Sequence, residues 1–343
     1  MNHLRDALAE LSTGRLPVRE QLELAFEDLL EPETPPVLVS AFLTALRMKG
    51  ESATVLEMAV KIVIRKSVEF ATSAELGPVR LDTCGTGGDG AASINISTAS
   101  AFVVASAGVP VVKHGNRSAT GRSGSSDVLD SLGIRVNQSV EKLKQLYHQL
   151  HFVFLSAPDF HPALKWIAPI RKQLPFRTIF NLVGPLANPA RPTHQLLGVA
   201  DQSLAKLFAH VLQKRQVKRT AIISAHDGLD EISTGSPTRV LLVTPDSMED
   251  LLWHPGLTFG MRIMDSSGLR VESAAESARR ILAVFEDKPE KSVDEAAIVM
   301  NSAAALWVAG QVDSPLEGIE MAREAIGSGA ALRLLENYRT LGN

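Results

Sequence analysis

The chain has 343 residues, 45% of them apolar and 5% aromatic, with a formal net charge of −3. That length accommodates one large domain or two unequal ones, and the weakly acidic balance disfavours nucleic acid as a partner. One cysteine, Cys84, rules out an internal disulfide and a cysteine-based metal cage.

The amino-terminal stretch MNHLRDALAELSTG is amphipathic with charges of both signs and lacks the apolar region of a secretory signal. No run of about 18 apolar residues is present, so no membrane span is expected. A reducing cytoplasm is the expected location. Four segments then carry apolar residues at three- and four-residue spacing: MNHLRDALAELSTG, VREQLELAFEDLLE, PPVLVSAFLTALRMKG and SATVLEMAVKIVIRKS. That spacing predicts helices, and proline or glycine separates several of them.

From Gly77 the pattern changes. VRLDTC, VPVVKHG, HFVFLSA, QLLGVA, RTAIISAHDG and TRVLLVTP read as strands, and STASAFVVASAG, GSSDVLDSLG, HPALKWIAPIRKQL and SLAKLFAHVLQKRQ as the helices between them. This order predicts βαβ units and a mostly parallel sheet. The tail returns to helices in SAAESARRILAVFED, VDEAAIVMNSAAALWVAGQ and PLEGIEMAREAIGSGAALRLLENYRTLG, expected to cover one face of the sheet. The fold class is therefore α/β: a small all-helical domain at 1–72, a larger domain at 77–343 with a mostly parallel central sheet flanked by helices, and a proline-rich crossing segment at 168–192 between them.

In such sheets ligands bind outside the carboxyl ends of the strands, and three polar segments fall there. The first, DTCGTGGDG at 82–90, holds four glycines and two aspartates. Glycine lets the backbone approach a ligand closely, and the following helix start, with Asn95, Ser97 and Thr98, offers N–H groups to a phosphate. A simple helix cap would account for Ser97 or Thr98 equally well, and the segment is neither a dinucleotide fingerprint nor a P-loop. The second, KHGNRSATGRSGSSD at 113–127, adds Lys113, His114, Asn116, Arg117 and Arg122. A polar surface loop would explain its glycines and serines but not its cations, which suit an anion cradle. The third, HDGLDE, ends in Asp230 and Glu231. Adjacent carboxylates facing a phosphate pocket suit Mg²⁺, although a lone Asp-Glu pair is commonly just a solvated turn. Arg171 offers a planar fork for a carboxylate, or else is a surface residue of an amphipathic helix. His161, before Pro162, reads as a capping or packing residue.

Taken together, DTCGTGGDG, NIST, KHGNRS, SGSSDVLDSLG, HPALKWIAPIRKQLPFRTIFNLVGPLANPA, QLLGV and DGLDE, in this order and with AFLTALRMKGES before them, resemble the anthranilate phosphoribosyltransferase family. The resemblance spans residues 15–320 or so. It implies a helical domain joined to an α/β domain, a homodimer formed through the helical domains, and transfer of phosphoribose from phosphoribosyl pyrophosphate (PRPP) to the amine of anthranilate with Mg²⁺. It further implies PRPP contacts at Gly85, Gly88, Asp89, Ser93, Asn95, Ile96, Ser97 and Thr98, at Lys113, His114, Gly115, Asn116, Arg117, Ser118, Ala119, Thr120 and Gly121, and at Ser125. Anthranilate falls to Gly85, Asn116 and Arg171, and Mg²⁺ to Ser97, Asp230 and Glu231. After KHGNRS the family commonly carries two serines and then Lys-Ser-Gly. Here ATGRSG keeps one hydroxyl at Thr120 and the cation at Arg122, and loses a side-chain contact at Gly121.

No general base is identified. The aromatic amine is a neutral nucleophile, so orientation can carry much of its activation, with His114 and water as candidates for proton transfer. Pyrimidine-nucleoside phosphorylases share the architecture, but the pairing of GTGGDG…NIST with DGLDE argues against them. Nucleic-acid-binding relatives of the transferases would need a basic groove, which the overall charge disfavours.

Overall fold

A computed structural model describes residues 2–117, 123–286 and 292–343. In chain order the helices α1 (Asn2–Ser12), α2 (Arg19–Leu29), α3 (Pro36–Lys49) and α4 (Ala53–Arg65) come first, followed by the single turn α5 (Ser73–Leu76). The α/β part then runs β1 (Leu81–Gly85), α6 (Ile96–Ser106), β2 (Val111–Gly115), α7 (Ser125–Ser131), α8 (Val140–Leu150) and β3 (Phe152–Ser156). Short helices α9 (Ala157–Phe160), α10 (Ala168–Lys172) and α11 (Phe180–Val183) precede β4 (His194–Gly198), α12 (Ala205–Lys214), β5 (Arg219–Ala225), β6 (Thr238–Val243) and β7 (Met248–Trp253). The chain ends with α13 (Pro255–Phe259), α14 (Ala274–Phe285), α15 (Val293–Val308), α16 (Pro315–Gly327) and α17 (Ala330–Gly342).

Two compact units emerge: Met1–Glu69 with Ala157–Pro189, and Phe70–Ser156 with Ala190–Asn343. In the first, α1 to α4 bury an apolar stripe that includes Leu22, Phe26, Phe42 and Leu56. The Phe26 ring meets Phe42 edge-on at 5.7 Å and Phe180 at 6.5 Å. Trp166 Nε1 donates to the Leu30 carbonyl at 3.1 Å, closing one orphan group at the end of α2.

The second unit is built on a seven-stranded sheet of order β3-β2-β1-β4-β5-β6-β7. Strands β1 to β5 are parallel, and β6 and β7 add antiparallel pairs. The chain steps outward from β1 through β2 to β3, then crosses back to lay β4 on the other side of β1. The switch point is therefore between β1 and β4, where a crevice opens at the carboxyl ends of the strands. Helix α15 packs against α6, α16, β4 and β5. It is buried on nearly all sides, which explains its alanine-rich, weakly amphipathic sequence. Ser273, Ser292 and Ser314 cap α14, α15 and α16, each accepting from the N–H of a glutamate three residues on.

Three expectations need correction. The segment HPALKWIAPIRKQL is not one helix: a 3₁₀ turn at Pro162–Leu164 is followed by α10, with Pro169 in its first turn. Proline lacks the N–H a helix interior needs, so Pro162 and Pro169 start helical pieces and cannot continue one. The last tail segment is two helices, α16 and α17, parted at Gly329, whose φ is +72°. Strand β7, MEDLLW, escaped the sequence reading because it is a sheet edge with Glu249, Asp250 and Leu252 exposed. Acidic side chains there blunt an otherwise open edge.

Candidate active site

The glycine-rich segment begins in the last residue of β1. Gly87, Gly88 and Gly90 have φ of +61°, +80° and +73°, a region that side chains with Cβ rarely adopt. Gly85 is different, since its backbone is ordinary and its demand is for space. A Cβ there would run into the Asp230 carboxylate, and one at Gly198, the last residue of β4, would overlap the Asp230 carbonyl oxygen. Asp230 is thus pressed onto the ends of both strands at the switch point. Gly87 N–H donates to Asp230 Oδ2 at 2.8 Å, and Thr86 N–H donates to the Gly198 carbonyl at 2.9 Å.

Glu231 points toward α6, where Ser97 N–H donates to its Oε1 at 3.2 Å. Both acids are hard to ionise. Burial pushes the Asp230 carboxyl up to about 6, with the nearby Asp89 carboxylate adding to the rise. Burial and the Asp230 charge drive Glu231 well above the usual range. Lys113 is the ammonium that offsets them, and it too is buried. Its Nζ donates to the Thr83 carbonyl and, at 3.2 Å, to Ser97 Oγ. Desolvation lowers its pKa, while Asp82, Cys84 and Glu231 push the other way. Among the described residues, Asp82, Asp89, Asp230 and Glu231 together outnumber this one lysine, so the cluster favours an added cation.

These donors fit Mg²⁺. Carboxylate and hydroxyl oxygens are hard ligands, and the crowding of Asp89, Asp230 and Glu231 is relieved by a divalent charge. No group of three or more metal-ligating acids, histidines or cysteines surrounds one point among the described residues. Oxygens of phosphate and water would have to complete an octahedral shell, which is the common mode for Mg²⁺.

The remaining first-loop residues have structural partners. Asn95 Oδ1 accepts from Thr98 N–H at 3.2 Å, and its Nδ2 donates to the Ser123 carbonyl at 3.0 Å, tying the first loop to the second. Ile96 N–H donates to the Ile94 carbonyl at 2.8 Å. The expectation of open N–H groups at this helix start is therefore corrected: the amides of residues 96, 97 and 98 each have an acceptor in the protein. Ile96 and Thr98 turn their side chains into the core. Ser93 forms an isolated bridge with Arg270, and Asp89 Oδ1 accepts from Ala91 N–H at 3.1 Å.

In the second loop, His114 N–H donates to Asp82 Oδ1 at 3.2 Å. A Cβ at Gly115 would lie 2.6 Å from the Phe154 ring, so the strand end admits only glycine. The Asn116 carbonyl accepts from Ser125 Oγ at 3.1 Å and Ser126 N–H at 3.3 Å. Arg117 pairs with Asp127 at 2.9 Å and Asp130 at 2.6 Å on α7. The anion cradle expected from loop cations is thus not formed by Lys113 and Arg117: one is turned inward and the other is matched by two acids. Ser118, Ala119, Thr120, Gly121 and Arg122 lie outside the described residues.

Arg171, in the helical unit, is half-buried on α10. Its guanidinium lies over the Phe180 ring at 5.5 Å, and one terminal nitrogen donates to Asn181 Oδ1 at 3.4 Å. Its Nε is buried without a hydrogen-bond partner among the described residues, and desolvation pulls its pKa down. A buried guanidinium with an idle donor is costly, and a planar anion such as a carboxylate would match its fork.

Comparison with known proteins decides the family. Residues 77–332 match the model of the glycosyl transferase family a/b domain, and residues 5–67 match the helical bundle domain of that family. The chain is 42% identical to the anthranilate phosphoribosyltransferase of Thermomicrobium roseum over 96% of this chain and 93% of that protein. This chain belongs to the anthranilate phosphoribosyltransferase family. The family's crystal structure from Thermus thermophilus superposes with a TM-score of 0.90 at 31% identity, covering 98% of this chain and 99% of the other. The anthranilate phosphoribosyltransferase of Saccharomyces cerevisiae, in complex with PRPP and Mg, gives 0.88 at 30% identity, over 98% of this chain and 97% of that one.

Against that family frame, sequence reading missed Gly198 and Asp227 as parts of the site's framework. Gly198 sits in QLLGV, where only the contact with Asp230 reveals its importance. Asp227 Oδ2 accepts from Ser233 Oγ at 2.6 Å and Ser266 Oγ at 2.8 Å, knotting the loop that carries Asp230. Gly198→Ala is expected to displace the Asp230 backbone and to reduce kcat/KM by about 100-fold or more, a loss of roughly 3 kcal/mol in transition-state stabilisation. Gly85→Ala meets only a side chain that can rotate and should cost less. Steady-state kinetics of the two variants beside the wild type measures the ordering, and equal effects would contradict the distinction drawn from the contacts.

Proposed function

We propose that the chain transfers the 5-phosphoribosyl group of PRPP to the amine of anthranilate, giving N-(5-phosphoribosyl)anthranilate and pyrophosphate in tryptophan biosynthesis. The observation that carries this reading is the half-buried Asp230–Glu231 pair, held at the β1/β4 switch point beside the glycine-rich loop and the start of α6. A saturated structural core would not collect mutually repelling acids there. A site that must hold a cation and a pyrophosphate would. The relative from yeast has been crystallised with PRPP and Mg, and also with 4-fluoroanthranilate.

In this reading PRPP lies along Gly85, Gly88, Asp89, Ser93 and the Asn95–Thr98 turn, with residues 113–117 and Ser125 on its other side. Gly87, Gly88 and Gly90 let the backbone follow the phosphates closely. Ser97, Asp230 and Glu231 hold Mg²⁺, which when bound neutralises charge on the pyrophosphate. Lys113 keeps Ser97 Oγ oriented from beneath. Arg171 receives the anthranilate carboxylate, and Asn116 and Gly85 orient the amine, so that attack on C1 of the ribose is favoured by position. The helical domain comprises residues 1–69 with 157–189, and the PRPP-binding domain residues 70–156 with 190–343. The enzyme works in the cytoplasm. No helix among the described residues is long and apolar enough to cross a membrane.

A homodimer through the helical domain is part of the proposal. Val18, Val37 and Met48 there are 61%, 72% and 84% exposed, and a second copy would cover them. Sedimentation velocity on the full chain should give twice the 36.9 kDa of one chain, and Val37→Asp with Met48→Asp should halve it. A wild-type chain sedimenting as a monomer at micromolar concentration would remove this part.

Arg171→Ala should raise the KM for anthranilate about 10- to 150-fold, the loss expected for a charge-assisted contact of roughly 1.5–3 kcal/mol. The KM for PRPP should change far less, and Arg171→Lys should recover only part of the loss because a point charge does not reproduce the fork. Varying each substrate in turn gives both constants, and an unchanged anthranilate KM would take Arg171 out of the site.

The raised carboxyls set a pH dependence. Mg²⁺ binds the ionised acids, and a group whose folded pKa is raised to about 6 takes up its proton as pH falls through that value. Mg²⁺-dependent PRPP binding should therefore weaken from pH 7.5 to 5.5. Asp230→Asn with Glu231→Gln should abolish both the Mg²⁺ requirement and most of the turnover. Calorimetric titration of PRPP at fixed Mg²⁺ across this range is the measurement, and flat affinity would argue against metal binding at these acids.

A further inference from the structure

Glu231 is followed by Ile232, which is 1% exposed and lies between the end of β5 at Ala225 and the start of β6 at Thr238. Its N–H and C=O therefore have no strand ladder to join, and a buried peptide group must find a partner elsewhere. One side chain supplies both. Asn301, fully buried on α15, accepts from Ile232 N–H through Oδ1 at 2.9 Å and donates through Nδ2 to the Ile232 carbonyl at 3.1 Å. The same Nδ2 donates to the Ala297 carbonyl one turn back at 2.9 Å. The amide is thus locked at both ends, and its orientation is fixed by its own helix.

That helix is also the partner of α6. Ser100 Oγ donates to the Ile298 carbonyl at 3.3 Å, one turn from Asn301. The first turn of helix α6 holds Ser97, whose N–H meets Glu231. A short closed circuit results: Glu231 to Ile232, Ile232 to Asn301, α15 to α6, and α6 back to Glu231.

We infer that Asn301 is a positioning residue for the Mg²⁺·PRPP site, which sets the place of Glu231 and Asp230 against the start of α6 by gripping the backbone of Ile232. This rests on the function proposed above. A residue that touches neither substrate nor metal acts here because the Ile232 peptide groups, which lie outside any ladder, both bond to its side chain. Two hydrogen bonds to one residue leave Ile232 little freedom to rotate, and Glu231 inherits that restraint. The Asp227–Ser233–Ser266 knot anchors the far side of the same loop, so Asn301 governs the side nearer to α6.

The test uses the full chain and four measurements. Calorimetric titration of PRPP over a series of Mg²⁺ concentrations gives the Mg²⁺ requirement for half-maximal binding. In Asn301→Ala and the milder Asn301→Ser this requirement should rise tenfold or more. Val299→Ala, a core truncation on the same helix, should lower Tm comparably and leave it within twofold. Anthranilate affinity should stay near wild type in all three. A folded Asn301 variant with an unchanged Mg²⁺ requirement overturns the inference, as does Val299→Ala shifting it equally. Hydrogen exchange on the wild type covers the case where neither Asn301 variant folds: the Ile232 amide should be protected like the interior of α15, and exchange at loop rates overturns the inference. Absence of any Mg²⁺-dependent PRPP binding in the wild type would instead defeat the proposed function itself.

Discussion

Two acids, Asp230 and Glu231, are kept side by side in a half-buried place, and much of the α/β unit is arranged around the cost of doing so. Charged groups removed from water must be paired or must shift toward neutrality. Here the ammonium of Lys113 and the amides of Gly87 and Ser97 offset only part of that cost. The remainder shows as raised carboxyl pKa values. Lys113 is consequently spent on its neighbours. A residue that reads as a phosphate-binding cation in the sequence becomes part of the floor beneath the site.

The same demand explains the glycines. Those of the loop at 87, 88 and 90 answer a need for positive φ. Gly85 and Gly198 answer a need for room, because Asp230 occupies the volume their side chains would fill. The two requirements are distinct although the residue is the same. The second also shows why the site sits at the β1/β4 switch: Gly85 and Gly198 are register partners at the ends of those two strands, and the absence of both Cβ atoms leaves the room that Asp230 fills.

Arg171 in the helical unit presents a related balance. Its guanidinium is half-buried on the Phe180 face with a weak bond to Asn181, and among the described residues its Nε donor has no acceptor. An arginine in that state is poised for a planar anion.

The sequence by itself determined the helical start, the βαβ alternation and the family. These depend on local periodicity and on motifs contiguous in the chain, which survive without knowledge of contacts. It also marked the proline interruptions, although HPALKWIAPIRKQL was read as one helix because its apolar spacing outweighed Pro162 and Pro169. The tertiary structure alone decided which partners the motif residues take. Lys113 turning inward, Arg117 pairing with Asp127 and Asp130, and Asn301 gripping Ile232 each join residues that a linear pattern cannot relate. Asn301 lies 69 residues beyond the backbone it holds, within a helix whose alanine-rich sequence marks it only as core. Its amide acquires meaning because Ile232 is buried outside any strand, and burial of a peptide group without a ladder partner is a property of the folded chain.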